Sequence, residues 1–353
     1  MMIARRRFLQ ICTGAAWCWS GCSRPPVPLQ PHTLLEVDGQ TAQTLSQKTV
    51  PIPEGRWKSL STGSAGFLLG DAHGLVTVPS DGSDVHIVAG PTDGLWGRTD
   101  TLITGQKVSA DDYELTGRDP AANKPRWSTR LGYASILAAT DKVVLVAHPK
   151  GVSAYDLDTG QPLWTNPSVL PVRSHFLGRD SLLVGGLSGE VSWLDLDTGQ
   201  SRRKVYTDKD RNNRVIALAS DGKFTLAFTR RVALFGFGPS GNKPVWRHPI
   251  SPEEHESELL AWADSVVLVR LENSSVAFDL RTGKELWRCS LVARAAATSD
   301  TVVTLKPAAR SLVNLEARDL RNGKVLWKKT SQFAATAALA REKSFYLLGD
   351  NFG

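Results

Sequence analysis

The chain has 353 residues, 41% hydrophobic and 22% charged, so a large buried core is available and wholesale disorder is excluded. Lys plus Arg number 42 against 35 Asp plus Glu, and without the three arginines of the first 22 residues the surplus is +4, scattered along the chain without a run. That distribution speaks against a nucleic-acid binder, which concentrates its cations on one face, and four cysteines with three in the first 22 residues cannot build a disulfide scaffold.

Residues 1–21 read as a signal peptide: a basic start, an apolar stretch from Phe8 to Trp19, and small Ser20-Gly21 before Cys22. The apolar stretch is about a dozen residues, short of the roughly 20 that cross a bilayer, and no later segment approaches that length. Arg5-Arg6-Arg7-Phe8-Leu9 resembles the twin-arginine export motif, carried by Arg5, Arg6, Phe8 and Leu9, which marks proteins exported already folded. The alternative is a plain basic start for the unfolded-chain route. Trp19-Ser20-Gly21-Cys22 resembles a bacterial lipobox, with Trp19 departing from the usual leucine; it implies that Cys22 is acylated and becomes the mature N-terminus. The alternative is a cysteine beside an ordinary cleavage site. Pro-rich Ser23–Pro31 fits a tether, so 22–32 is expected to link several acyl chains, enough for stable anchoring, to a domain at 33–353. Ser23, by the same resemblance, suits sorting to an outer membrane.

From residue 33 onward, short apolar runs alternate with Gly, Asp and Ser turns, as at Val143–Ala147 and Ser265–Val269, and no helical periodicity competes past residue 50. Three segments align without gaps: 154–164 with Asp156, Gly160 and Trp164; 277–287 with Asp279, Gly283 and Trp287; 317–327 with Asp319, Gly323 and Trp327. A fourth keeps Asp195 and Gly199 but has Arg203 where the tryptophan falls, and looser copies end at Trp127 and Trp246. The glycines Gly160, Gly199, Gly241, Gly283 and Gly323 are 39, 42, 42 and 40 residues apart. In each unit glycine supplies a positive φ, Asp or Thr bonds the turn backbone, and the tryptophan packs between sheets. A four-stranded sheet per forty residues, stacked radially, is a β-propeller blade.

The expected fold is therefore an all-β, eight-bladed propeller. Full blades fall at 51–93, 94–132, 133–169, 170–209, 210–250, 251–291 and 292–331, with 332–353 and 33–50 left over. Phe345–Gly353 parallels Phe67–Gly74 of the first full blade, and Thr33–Gly39 looks like the continuation found there at Leu75–Gly82. The two termini are thus expected to pair, closing the ring and removing its open edges. The alternative is an accidental truncation.

The A-x-D-x-x-T-G-x-x-x-W unit resembles the PQQ-like propeller repeat over roughly 33–353. With the lipobox, it is similar to the BamB family of outer-membrane assembly lipoproteins. That resemblance implies a non-enzymatic, lipid-anchored scaffold facing the periplasm, with envelope protein partners such as an outer-membrane barrel assembly complex, and no nucleic acid. The twin-arginine-like leader departs from the usual export route of that family. Loops on a rigid ring would make the contacts, and the candidates are Arg203, Arg211, Arg214, Arg230 and Arg231. Solvated loops are the alternative for them. The rival reading is a quinone- or small-ligand-binding redox protein using the axial funnel.

Chemistry is otherwise sparse. Enzymes with this repeat hold PQQ and calcium beside adjacent cysteines, and past Cys22 this chain has Cys289 alone, so neither cofactor is expected. Cys289 reads as a buried thiol rather than a nucleophile. The seven histidines show no metal-ligand spacing, and Asp156, Asp195, Asp279 and Asp319 recur with the repeat as turn residues. No catalytic residue is assigned.

Overall fold

A computed structural model describes residues 29–351, apart from 54–58, 64–65, 71–73, 80–85, 90–91, 99, 110, 120–123, 170, 208–212, 231–232, 251–257, 308–312, 332 and 342; its side chains are described for most of 34–47 and 100–347. The leader, with Arg5, Arg6, Phe8, Leu9 and Cys22, lies outside the described residues, as do Arg211 and Arg231. Among the described residues no helix is long and apolar enough to cross a membrane.

The described strands form eight four-stranded antiparallel sheets. Seven are built from consecutive strands, at 59–89, 92–132, 135–166, 174–206, 215–249, 258–290 and 294–331. The first strands of neighbouring sheets pack side by side, and the first strand of blade one meets Phe333–Arg341 of the last blade, so the sheets close into a ring with their first strands innermost. The middle strands are buried on both faces because a neighbouring blade covers each face. Val143–His148 and Val266–Arg270 therefore read as continuous apolar runs, while the outer Trp246–Pro249 and Glu285–Ser290 alternate. The core is accordingly divided into clusters between blades, such as Leu145, Leu182 and Leu194 between blades three and four, and Leu226, Phe228 and Phe278 between five and six.

The eighth sheet takes its two inner strands, Phe333–Arg341 and Ser344–Asn351, from the end of the chain and its two outer strands, Leu29–Asp38 and Thr44–Pro53, from the beginning. Leu35 pairs with Leu347 and Val37 with Phe345, as the split hairpin predicts. Val37, Phe345 and Leu347 then join Leu305 and Leu315 in the cluster between blades seven and eight. The boundary of blade one differs from expectation. Thr33 pairs with Thr49 and Leu29 with Pro53, so the chain to residue 53 belongs to the closing blade and blade one starts at Ser59. The closing strand begins at Leu29 and so takes in the last residues of the segment read as a tether.

The first-to-second and third-to-fourth turns among the described residues open on one face of the ring, the turn face. The other described turns and blade-to-blade connections open on the opposite face, the loop face.

Candidate functional site

The recurring residues build one device repeated around the ring. Asp156 Oδ1 accepts from the Asp158 and Thr159 N–H groups at 3.1 and 2.8 Å and from the Thr159 hydroxyl at 2.8 Å, while Gly160 N–H bonds the Asp156 carbonyl at 2.9 Å. Asp195 with Thr198, Asp279 with Thr282, and Asp319 with Asn322 make the same turn. These bonds hold Asp195 well below the usual carboxylate range, at about 2, through the Thr198 N–H first and then Arg202. Gly160, Gly199, Gly283 and Gly323 have φ of +68 to +70°. A Cβ there would also fall within about 2.5 Å of a tryptophan ring from the preceding blade. That tryptophan donates its indole N–H to the carbonyl after the turn aspartate. Trp127 reaches Leu157 at 2.9 Å, Trp164 reaches Leu196 at 2.9 Å, Trp246 reaches Leu280 at 3.0 Å and Trp287 reaches Leu320 at 2.8 Å. Each latch joins one blade to the next.

Sequence reasoning missed one copy of this turn. Asp38 accepts from the Gln40 and Thr41 N–H groups at 3.0 and 2.7 Å and from the Thr41 hydroxyl at 2.8 Å, which lowers its pKa, the hydroxyl bond first. Ala42, at φ +62°, stands where the other turns have glycine, and Trp327 donates to Gly39 O at 2.9 Å. The signal was present as Asp-x-x-Thr but lacked both the glycine and a tryptophan; the register position of Trp164 is held here by Ser46.

Arg203 does not behave as a free docking group. Its guanidinium donates to Gly238 O at 2.7 Å and to Gly241 O in blade five, and lies 4.6 Å from the Trp193 ring centroid. Gly238 follows Phe237, which holds the aspartate position of blade five, so Arg203 reaches the carbonyl that an indole reaches elsewhere. Burial lowers its pKa. Of the other arginine candidates, Arg214 and Arg230 are brought together on the loop face, where Arg230 N–H bonds the Arg214 carbonyl at 3.0 Å. Arg230 is exposed and Arg214 half-buried.

The turn face carries a second pattern. The residue two past the turn aspartate reaches back to the preceding blade: Arg281 to Asp221 at 3.4 Å, Arg321 to Asp264, and Gln40 to Thr301 at 2.8 Å. Blades three and four have Asp158 and Asp197 at that position, and a cavity there of about 520 Å³ is lined by Asp141, Asp156, Asp158, Asp180 and Asp197 together with the cations Lys142 and Arg179. Among the described residues no group of three or more His, Cys, Asp or Glu side chains could hold a metal ion. Cys289 is buried between blades six and seven, and burial pushes its thiol pKa up.

Eight four-stranded blades, with tryptophan latches at five of the described junctions and Arg203 at a sixth, define a propeller of PQQ-like repeats. The crystal structure of BamB from Moraxella catarrhalis superposes with a TM-score of 0.59 at 14% identity, covering 83% of this chain and 96% of that one. Apo AztD from Citrobacter koseri gives 0.59 at 12% identity, covering 86% and 96%, and the computationally designed Ika8 protein gives 0.59 at 14%, covering 81% and 86%. These likenesses show the fold. Residues 95–234 and 214–344 match the family described as outer membrane protein assembly factor BamB; the matches span more than two thirds of the chain, which belongs to that family. A relative of that description from Burkholderia pseudomallei (strain K96243) is 28% identical over 109 residues, a stretch covering 31% of this chain and 27% of the relative.

Proposed function

We propose that this protein is a lipid-anchored, non-enzymatic scaffold that holds protein partners at the bacterial envelope during outer-membrane protein assembly. Family membership across blades two to eight carries the reading. The use of the repeat's polar side chains supports it: Asp156, Trp164, Asp195, Trp246, Asp279, Trp287, Asp319 and Trp327 serve turns and latches, which stiffen the ring and leave loops to vary. Export follows from the leader at 1–21, and anchoring from acylated Cys22. The Arg214–Arg230 pair on the loop face offers contacts to a partner.

Crosslinking of native membranes followed by mass spectrometry of what co-purifies tests the scaffold. Recovery of an outer-membrane barrel or its assembly machinery is expected. A stoichiometric small molecule with no protein partner overturns it in favour of a ligand in the axial funnel. Metabolic labelling with palmitate tests the anchor: the wild type should incorporate label and Cys22→Ser should not.

A further inference from the structure

The turn face holds a groove of about 630 Å³ floored by Phe176, Trp193, Trp262 and two leucines; of these Trp193 also stacks on the Arg203 guanidinium, and Phe176 and Trp262 serve no latch. Phe176 lies on the innermost strand of blade four and Trp262 on that of blade six, yet their rings meet edge to face with centroids 4.9 Å apart. Contact across an intervening blade places both rings on the axial side of blade five, at the mouth of the funnel. Trp262 remains 43% exposed, a large aromatic surface left in water beside a second aromatic ring.

The rim has a definite charge. Its three carboxylates are each matched by an arginine beyond the groove: Asp180 by Arg202 at 3.0 Å, Asp221 by Arg281 at 3.4 Å, and Asp264 by Arg321. Arg179 and Lys223 also line the groove, are exposed, and make no ion pair among the described residues. An apolar floor beneath two unmatched cations complements an apolar group carried beside carboxylates. The groove opens to the turn face, so an occupant is covered on one side, as a side chain projecting from a larger body is.

We propose that this groove binds an acidic segment of a partner protein, seating an aromatic or large aliphatic side chain against Trp262 and Phe176 with flanking carboxylates on Arg179 and Lys223. The proposal rests on the scaffold reading for the occupant being a protein. It adds a surface distinct from the loop-face arginines and states the chemistry the surface selects.

The test is fluorescence anisotropy of the labelled peptide Glu-Glu-Phe-Glu-Glu with the exported domain, compared with Lys-Lys-Phe-Lys-Lys. Binding of the acidic peptide alone is expected, weakened about tenfold or more by Trp262→Ala and similarly by Arg179→Glu combined with Lys223→Glu. The double charge reversal alters exposed, unpaired side chains, so it should keep the wild-type urea midpoint and remains informative if Trp262→Ala is unstable. It should also bring in the lysine peptide. Equal affinity for both peptides overturns the proposal, as does no binding at millimolar peptide. Full displacement by an equal concentration of phenylacetate overturns it in favour of a free aromatic acid. Envelope partners crosslinked to the loop face, with no peptide binding, would remove this groove and leave the scaffold standing.

Discussion

The indole of Trp327, in blade seven, donates its N–H at 2.9 Å to the carbonyl of Gly39, 288 positions earlier in the chain. This latch couples blade seven to the outer half of the closing blade, which the N-terminal segment supplies. The ring is therefore sealed twice, by the ladder from Leu35 to Leu347 and by this side chain.

Trp327→Ala should destabilise the protein by about 2–4 kcal/mol, about 1 kcal/mol below the range for a fully buried large aromatic because Trp327 is half-buried. Trp327→Phe keeps most of the packing and should cost about 1 kcal/mol for the lost hydrogen bond. Urea unfolding of both variants checks the order. Trp327→Ala should also aggregate faster than Trp164→Ala, since loosening the closing blade frees strand edges.

The two versions of the turn predict opposite signs. Gly199→Ala must place a Cβ about 2.3 Å from the Trp164 ring at φ +69°, so a loss above 1 kcal/mol is expected. Ala42→Gly removes a left-handed alanine, and should stabilise by a few tenths to about 1 kcal/mol after the entropy of the extra glycine is counted. Thermal melts of the two variants decide this. Equal shifts of one sign would show that the turns are not equivalent.

Arg203 provides a latch by other chemistry, which makes its replacement informative. Arg203→Ala loses two hydrogen bonds and the stacking on Trp193, and should cost about 2–3 kcal/mol. Arg203→Trp should be tolerated within about 1 kcal/mol. A Cβ on Gly241 would meet nothing within 4 Å, so the site has room beside that glycine. A Trp variant as unstable as the Ala variant would show that blade five cannot accept an indole.

Two of the turn aspartates, Asp38 and Asp195, set an acid limit. Asp38 is lowered below its ordinary pKa and Asp195 is held at about 2, so the folded state binds fewer protons than the unfolded chain. Their stabilisation is complete above the ordinary carboxylate range near pH 4 and is lost as pH falls through about 2. Urea midpoints should therefore drop from pH 5 to pH 2.5. Asp195→Asn should lower the midpoint at pH 7 and make that drop shallower. An unchanged slope would remove Asp195 as a contributor.

Much of this molecule was legible as sequence because its stabilising parts are local and repeated. Asp-x-x-Thr-Gly closes its own turn within five residues, and the continuous apolar runs mark strands covered on both faces. The split hairpin at the termini also showed in the residues, since half a repeat at each end has one physical completion. What pattern alone could not supply was the partner of each side chain. Asp38–Ala42 escaped notice because the turn tolerates alanine at a strained φ and its blade lacks the tryptophan. Arg203 read as a surface cation because its acceptors, Gly238 and Gly241, lie in the next blade. The meeting of Phe176 with Trp262 depends on how three blades converge on the axis. Local hydrogen bonding and periodicity determined the repeat, the ring and its closure; the packing of non-adjacent blades decided where an aromatic groove and two unmatched cations would come together.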